Sequence, residues 1–402
     1  MGWDVTVFTP ENPEIPVRDE SLSKDIPSNV NVVTHPIREP YAAYKRFTGK
    51  KKKDSLGASF LSEKKNPSKA EKIARWIRGN WFIPDARKFW IKPASKRLIT
   101  LINEEGYDAL VTTGPPHSMH MIGLFAKRAT DIKWTADFRD PWTQIDFIDE
   151  LMLTEKSFAK HEKMERDVLQ ESDRVLVVSR TMKTMFAESI PAEKIEVIPN
   201  GYDEEDFVDV KQEELQEGFV MAHVGSLTPA RNPPALWDAL AELVNENPQF
   251  AENLRLQFVG QIDYSAKSQL EALGLLKHVE IVQYLPHDEL MGYLTGSHVL
   301  LLLANQTRNA KMILTGKVFE YLKANRPILA LAPVDGDLAH LIDNTQSGHV
   351  CAFKDKESMK LRIRDLWNAH LEGNLVSNTR DVEQFSRQNL TIRLSAIIEK
   401  IE

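Results

Sequence analysis

Short apolar segments alternate with amphipathic helical patterns along nearly the whole chain. The apolar segments are rich in β-branched residues, as is typical of strands buried on both faces. Before residue 200 they fall at 4–9, 30–34, 109–113, 133–137, 174–178 and 196–198. The pattern then restarts at 219–224, 254–259, 279–282, 298–303, 327–332 and 349–352. Strands joined by crossover helices form parallel sheets, so the two sets predict an α/β fold with two doubly wound domains.

Helical patterns lie between these strands, and they include 94–105, 119–127, 158–170, 234–245, 288–295, 316–324 and 336–343. A turn-forming sequence, Pro-Asn-Gly-Tyr-Asp at 199–203, separates the two sets and predicts the domain boundary. We therefore expect an N-terminal domain at 1–199 and a C-terminal domain at 200–378. The last helix, within 379–402, is expected to pack back on the first domain. In doubly wound sheets ligands bind beyond the carboxyl ends of the strands.

Composition indicates a soluble globular protein, with 42% apolar and 27% charged residues and a net charge of −7 among 402 residues. The single cysteine, Cys351, excludes an internal disulfide and is typical of a reducing compartment. The longest apolar run, 299–304, is too short to cross a bilayer, and Asp4 interrupts any signal-peptide pattern at the start. These features predict a cytoplasmic protein.

Positive charge is concentrated in residues 45–97, which hold seventeen Lys and Arg against four Asp and Glu. Aromatic residues are interleaved with this charge, and we regard 40–97 as a basic, aromatic insertion. Such a segment favours peripheral contact with an anionic membrane face. The alternative is a solvated insertion with a polar lysine loop at 50–53. Nucleic acid is not expected as a partner, because no recognised binding module accompanies the patch and the whole chain is acidic.

A first candidate site follows the strand that ends at Val224. Gly225 and Ser226 form a turn there, and a helix begins near residue 233. Backbone amides in such a turn can approach a ligand, and a helix start favours an anion. Arg231 lies beside the turn and could pair with a phosphate. The alternative is a common strand–turn–helix element with a surface arginine.

A second candidate site lies at 313–322. Thr315 and Gly316 have the pattern of a helix start, and Lys317 falls in its first turn, where a cation is disfavoured unless an anion binds nearby. Glu320 is three residues further on and can face the same side. Lysine with exposed amides suits a diphosphate, and a carboxylate suits a ribose diol. The alternative is a plain helix with an ion pair between Lys317 and Glu320.

A third group of polar residues follows two strands of the first domain. His117 and His120 open a helix after Gly-Pro-Pro, while Asp137, Arg139 and Asp140 crowd the loop after the next strand. Polar residues at two neighbouring strand ends indicate a site rather than isolated surface positions. A metal is not expected, because the histidine pair has no third ligand at a zinc-binding spacing.

The ordered set of motifs resembles retaining, nucleotide-sugar-dependent family-4 glycosyltransferases, and the similarity covers nearly the whole chain. The matching pieces are Val-Val-Ser-Arg at 177–180, Val-Ile-Pro-Asn-Gly at 197–201, His-Val-Gly-Ser-Leu at 223–227 with Arg231-Asn232, Phe-Val-Gly at 258–260, and Gly-Lys-Val-Phe-Glu-Tyr-Leu at 316–322. The sequence Ala-Asp-Phe-Arg-Asp-Pro-Trp at 136–142 is similar to that of a bacterial subgroup. The resemblance implies the GT-B fold, in which two Rossmann-like domains face a cleft.

The resemblance also implies a function and roles for individual residues. The protein would transfer a sugar, with retention and without a metal or other cofactor, from a nucleotide diphosphate sugar to a cell-surface glycan or lipid-linked acceptor. Arg231, Lys317 and the amides at Thr315 and Gly316 would hold the diphosphate. Glu320 would bind the ribose, and the base would lie near Tyr284 and Leu285. His117 or His120 would contact the transferred sugar, with Asp140 on the acceptor side.

Two positions depart from the family pattern. Family members often carry a glutamate eight residues before the ribose-binding one, and Met312 stands there. The usual arginine after the first phosphate-loop glycine is Ser226. These departures keep two alternatives open: a catalytically impaired nucleotide-sugar-binding protein, and a GT-B-type nucleotide-sugar epimerase.

The opening sequence Gly-Trp-Asp-Val-Thr-Val at 2–7 is similar to the second strand of family members. Those proteins begin with a strand, a glycine-rich loop and a helix. We therefore expect the first sheet to lack its usual central strand, with an element of roughly 30 residues absent from the sequence.

Overall fold

The computed structural model describes residues 2–14, 26–39, 69–208, 215–283, 285 and 287–401. The lysine run at 50–53 and Tyr284 lie outside the described residues. The chain divides into two compact units. Unit 1 comprises Met1–Ile198 with Ile392–Glu402, and unit 2 comprises Pro199–Thr391. No helix in the described part of the chain is long and apolar enough to cross a membrane.

Unit 1 contains six strands and five helices of its own within the described ranges. The strands are β1 (Thr6–Pro10), β2 (Asn31–His35), β3 (Ala109–Gly114), β4 (Lys133–Phe138), β5 (Arg174–Val177) and β6 (Ile195–Val197). The helices are α1 (Lys69–Trp81), α2 (Lys88–Glu105), α3 (Ser118–Thr130), α4 (Glu155–Glu171) and α5 (Arg180–Phe186).

The strands of unit 1 form two parallel sheets. One pairs β1 with β2, and the other has the order β3-β4-β5-β6. Among the described residues, no strand pairs with the second edge of β1 or of β3. Val7 on β1 and Val111 on β3 are exposed, although parallel strands are ordinarily covered on both faces. The hydroxyl of Tyr107 donates to Thr6 Oγ1 at 3.1 Å and so connects the two sheets.

The core of unit 1 lies between β4 and the surrounding helices. Alternate residues of β4, Trp134, Ala136 and Phe138, enter this core and are fully buried. Helix α2 begins at residue 88, six residues earlier than its predicted start, and contains Pro93. Its buried face, centred on Trp90 and Leu98, continues across the proline, so packing keeps the segment helical.

Unit 2 contains the second set of strands. They are β7 (Phe219–Val224), β8 (Leu254–Val259), β9 (Val279–Val282), β10 (Val299–Leu303), β11 (Ile328–Leu331) and β12 (Gly348–Cys351). The helices between and after them are α6 (Pro234–Glu246), α7 (Pro248–Asn253), α8 (Tyr264–Ala272), α9 (His287–Thr295), α10 (Lys317–Ala324), α11 (Asp337–Thr345) and α12 (Lys356–Leu371); a last helix, α13 (Arg387–Glu399), follows.

All six strands of unit 2 form one parallel sheet in the order β12-β11-β10-β7-β8-β9. This is the Rossmann strand order, with its switch point between β7 and β10. Alternate residues of β10 enter two separate apolar cores: Val299, Leu301 and Leu303 enter one, and Leu300 and Leu302 enter the other. The predicted α/β class with two Rossmann-like parallel-sheet domains is confirmed.

The end of the chain, from Ile392 onward, belongs to unit 1. Hydrogen bonds connect it to the rest of unit 1: Trp3 Nε1 donates to Ser395 Oγ at 2.7 Å, Arg393 donates to the Val197 carbonyl at 2.7 Å, and Lys133 Nζ donates to the Ile401 carbonyl at 2.5 Å. Unit 1 is therefore assembled from two separate stretches of sequence.

Candidate active site

Two glycines shape the switch point of the unit 2 sheet. Gly225 follows β7 with φ 114°, and Gly260 follows β8 with φ 128°, backbone conformations that residues with a side chain rarely adopt. A Cβ on Gly225 would overlap Nζ of Lys317, and a Cβ on Gly260 would approach the Gly225 carbonyl carbon to 2.9 Å. The absence of side chains here lets the Lys317 side chain lie across the end of β7.

Arg231 is held between the loops that follow β7 and β10. Its Nε donates to Oδ1 of Asn305 at 2.7 Å, and its Nη1 donates to the Ser226 carbonyl at 3.2 Å. The first loop thus positions Arg231 through backbone, and the second through a side chain. Asn305 was not predicted; its sequence signal is its place, two residues after the end of β10, on the other side of the switch point.

Lys317 is the first residue of α10 and stands beside Arg231. Burial lowers the pKa of its ammonium to about 8, with a further lowering by Arg231 and an opposing contribution from Glu320. Two cations that lie side by side at a helix start form an arrangement that favours an anion. The structure therefore brings Gly225, Ser226, Arg231 and Lys317 together, as the sequence predicts.

The remaining predicted residues of unit 2 lie near the start of α10, within it and after β9. The Thr315 hydroxyl is buried and has no hydrogen-bond partner among the described residues. Tyr321, whose role was not predicted, accepts a hydrogen bond from the Val224 backbone N–H at 3.0 Å and so fastens α10 to β7. Leu285 is half-buried against one core of unit 2. Nothing in the described ranges bears on Tyr284.

His223 lies beneath the two cations and is fully buried. Its Nδ1 is 2.9 Å from the carbonyl oxygen of Leu301, and the pKa of its imidazole is lowered to about 3 by burial, by Lys317 and by Arg231. The ring is therefore neutral at physiological pH. It contributes a hydrogen bond to the neighbouring strand and adds no third positive charge to the site.

The two predicted histidines of unit 1 are buried side by side at the carboxyl end of β3. His117 stacks on Trp142 with ring centroids 4.5 Å apart, and His120 stacks on Phe138 at 4.4 Å. A Cβ on Gly114 would meet Nε2 of His120 at 2.6 Å. Burial lowers the pKa of His120 to about 3 and that of His117 well below its ordinary value. Both rings are neutral and suited to hydrogen bonding rather than to carrying charge.

The predicted carboxylates lie at the carboxyl end of β4, the strand that neighbours β3: Asp137 is within β4 and in register with Thr113, and Asp140 follows the strand. The Thr113 hydroxyl donates to Oδ2 of Asp137 at 2.9 Å. Burial raises the pKa of Asp137, and it raises the pKa of Asp140 to about 6, with a further rise from Asp146 and an opposing effect of Arg139. Unit 1 therefore presents neutral rings and weakly acidic carboxyl groups at one sheet edge.

Sequence reasoning missed a buried polar layer beneath this edge. Trp142 Nε1 donates to Nδ1 of His161 at 3.0 Å, and the Thr143 hydroxyl donates to Glu165 at 2.6 Å. His161 and Glu165 are four residues apart on α4, a spacing that places them on one helix face. That spacing was the available signal. Within the described ranges, no three His, Cys, Asp or Glu residues are grouped as a metal site.

Two family models match this chain. Residues 1–201 match the Glycosyl transferase 4-like domain, and residues 204–381 match Glycosyl transferases group 1. The chain belongs to the Glycosyl transferase 4-like family, and it is a glycosyltransferase. The predicted family is thereby confirmed at this level. A comparison with curated proteins finds no match.

Solved structures share the fold at low sequence identity. Sucrose-phosphate synthase from Thermosynechococcus elongatus superposes with a TM-score of 0.62 at 13% identity, covering 99% of this chain and 89% of that one. WaaG, a glycosyltransferase of lipopolysaccharide biosynthesis, gives 0.57 at 14% identity, covering 97% and 91%. S. aureus TarM in complex with UDP gives 0.55 at 12% identity, covering 76% and 59%. The likeness shows a shared GT-B fold.

Proposed function

We propose that this glycosyltransferase moves a sugar, with retention, from a nucleotide diphosphate sugar to a glycan or lipid-linked acceptor of the cell surface. The observation that carries the proposal is the pairing of Arg231 and Lys317 at the Rossmann switch point of unit 2. Both cations lie where doubly wound sheets bind nucleotides, and adjacent cations suit the negative charge of a diphosphate. The UDP held by TarM is consistent with such a donor.

The proposed donor contacts divide along the loop and helix of unit 2. Arg231, Lys317 and the backbone at Thr315 and Gly316 bind the diphosphate, beside the turn at Gly225, which has no side chain. Glu320 binds the ribose, and residues near Leu285 and Tyr284 contact the base. When the anomeric bond breaks, negative charge grows on the departing diphosphate. One preorganised donor to such charge contributes roughly 2.7–4 kcal/mol of transition-state stabilisation, so two cations can act without a metal.

The proposed acceptor side is the polar edge of unit 1. Neutral His117 or His120 forms a hydrogen bond with the transferred sugar. Because the ring is uncharged, it does not attract the diphosphate away from Arg231 and Lys317. Asp140, whose pKa is raised to about 6, accepts a hydrogen bond from an acceptor hydroxyl. In the retaining mechanism that we propose, the hydroxyl attacks on the face of the leaving diphosphate, so the chain supplies no nucleophile. The reaction takes place on the cytoplasmic side of the membrane.

The test compares Lys317→Ala and Arg231→Ala with wild type. Each substitution removes one cation from the diphosphate, and we expect donor turnover to fall by roughly 10²–10³-fold. UDP binding, followed by calorimetry, weakens in parallel. Lys267→Ala serves as the control, because Lys267 is an exposed cation of unit 2 on α8. Unchanged turnover in both site variants contradicts the assignment.

A product analysis distinguishes the two alternatives. A nucleotide-sugar epimerase converts its donor without any acceptor present, and a pure binding protein leaves the donor unchanged even when acceptors are supplied. The proposal requires a glycosylated product and free nucleoside diphosphate in equal amounts.

A further inference from the structure

Unit 1 carries an exposed apolar surface at the start of its helical region. We call it the aromatic–basic surface, and its members are Ile73, Trp76, Trp81, Phe82, Lys88 and Phe89. Trp81 is 65% exposed, Phe89 57% and Ile73 51%. The rings of Phe82 and Phe89 meet edge to face at 5.9 Å, and Lys88 Nζ lies 5.4 Å from the Phe89 centroid. Large side chains grouped in this way are unusual on a monomer surface.

The packing of α1 explains why its own members of this surface, Ile73, Trp76 and Trp81, are exposed. Gly79 packs so tightly on the turn at Ile148–Leu151 that a Cβ would overlap the Leu151 carbonyl. The Asn80 side chain donates to the Met152 carbonyl at 3.1 Å and accepts from the Thr154 N–H at 2.8 Å. The orientation of α1 is thus fixed by its inner face, and the aromatic side chains remain on the outside.

Positive charge surrounds the aromatic side chains. Between residues 69 and 100 the chain has nine Lys and Arg against two acidic residues. Lys72 is exposed four residues before Trp76 on α1, and Lys92 is exposed three residues after Phe89 on α2, so each cation borders an aromatic ring. Lys160, on α4, stands close enough to Lys88 to lower its pKa, in addition to the larger effect of burial.

We propose that the aromatic–basic surface docks unit 1 on the interface of an anionic lipid bilayer. Tryptophan and phenylalanine bury their rings at the headgroup boundary, and flanking lysines keep their ammonium groups at the lipid phosphates. An anionic bilayer satisfies both the apolar area and the positive charge. The docking itself is independent of sugar transfer, but its use in reaching a lipid-linked acceptor rests on the proposed function.

The test measures cosedimentation of the full chain with vesicles of phosphatidylcholine alone and of phosphatidylcholine mixed with phosphatidylglycerol. We expect binding to the mixed vesicles only, weakened by salt. Trp81→Ala/Phe89→Ala should reduce binding roughly tenfold or more through lost apolar burial. Lys72→Gln/Lys92→Gln should reduce it by roughly fivefold or more through lost charge. The control, Tyr264→Ala/Lys267→Gln, removes an exposed aromatic and an exposed cation from unit 2 and should bind as wild type does.

The proposal is overturned if wild type does not bind the mixed vesicles, or if the aromatic variants bind as well as wild type. Capture of a protein or nucleic acid by this surface without vesicle binding also overturns it. UDP binding by every variant, measured by thermal shift, shows that unit 2 is intact. Vesicle binding without sugar transfer would reject the proposed function and leave the docking surface standing.

Discussion

Both units are built on parallel β-sheets, but all strands of unit 2 belong to one sheet, whereas those of unit 1 are divided between two. In unit 2 every residue of β7, β10 and β11 is buried, and all six strands belong to one sheet. In unit 1 the strands form two sheets, and β1, β2 and β3 each carry exposed residues. A parallel strand is stable when both its faces and both its edges are covered. Strands β7, β10 and β11 of unit 2 meet this condition, while β1 and β3 of unit 1 do not.

The polar sites of the two units also differ, both in how their side chains are positioned and in the charge that these side chains carry. In unit 2 the cations are placed by specific partners, Asn305 for Arg231 and a side-chain-free Gly225 for Lys317. In unit 1 the histidines are neutral and the pKa of Asp140 is raised to about 6. Positive charge is therefore concentrated at the site of unit 2, while the site of unit 1 carries neutral rings and weakly acidic carboxyl groups. This difference supports the proposal that unit 2 binds the donor.

The largest effect is expected at Gly225. Gly225→Ala places a Cβ on the position of the Lys317 ammonium and strains a backbone with φ 114°. We expect UDP binding, measured by calorimetry, to be lost. Gly274→Ala is the matched control, because Gly274 has φ 69° and no atoms within 4 Å of the added carbon. If both variants bind UDP equally well, the close approach of Lys317 to Gly225 is not needed for UDP binding, and this prediction is wrong.

A smaller effect, on the free energy of unfolding, is expected to distinguish the sheet of unit 2 from the β3-β4-β5-β6 sheet of unit 1. Val299→Ala on β10 removes fully buried methyl groups and should lower the free energy of unfolding of unit 2 by about 2–3 kcal/mol. Val111→Ala on β3, where the side chain is 42% exposed, should cost less than ~1 kcal/mol. Urea unfolding followed by hydrogen exchange in each unit measures both. Equal losses would show that β3 is as well covered in solution as β10.

Burial and tertiary packing explain which limits of strands and helices could be predicted from the sequence. The predicted limits of β7 and β8 agree with the structure, because largely apolar runs mark buried strands. Those of β9 also agree, although its middle residues Glu280 and Ile281 are exposed. The predicted start of α2, residue 94, is six residues too late, because tertiary packing keeps the segment around Pro93 inside the helix.

The candidate site of unit 2 was predictable only in part, because some of its contacts join residues that are far apart in the sequence. Gly225, Arg231 and Lys317 follow strand ends in the sequence, so the Rossmann rule brings them together. The roles of Asn305 and Tyr321 depend on contacts between different βα units, with sequence separations of 74 and 97 residues. Local pattern carries no information about such pairs. Their contribution becomes visible only when the sheet is assembled.

The most direct test of the donor site is the proton linkage of UDP binding. With its pKa lowered to about 8, Lys317 is largely neutral at about pH 9 in the free protein, and a bound diphosphate should raise this pKa. Calorimetry in two buffers of different ionisation enthalpy should therefore show proton uptake at about pH 9, and affinity falling by up to about tenfold per pH unit above about pH 8. Lys317→Gln should abolish both effects. Equal UDP affinity at about pH 7 and about pH 9, without proton uptake, would contradict the account.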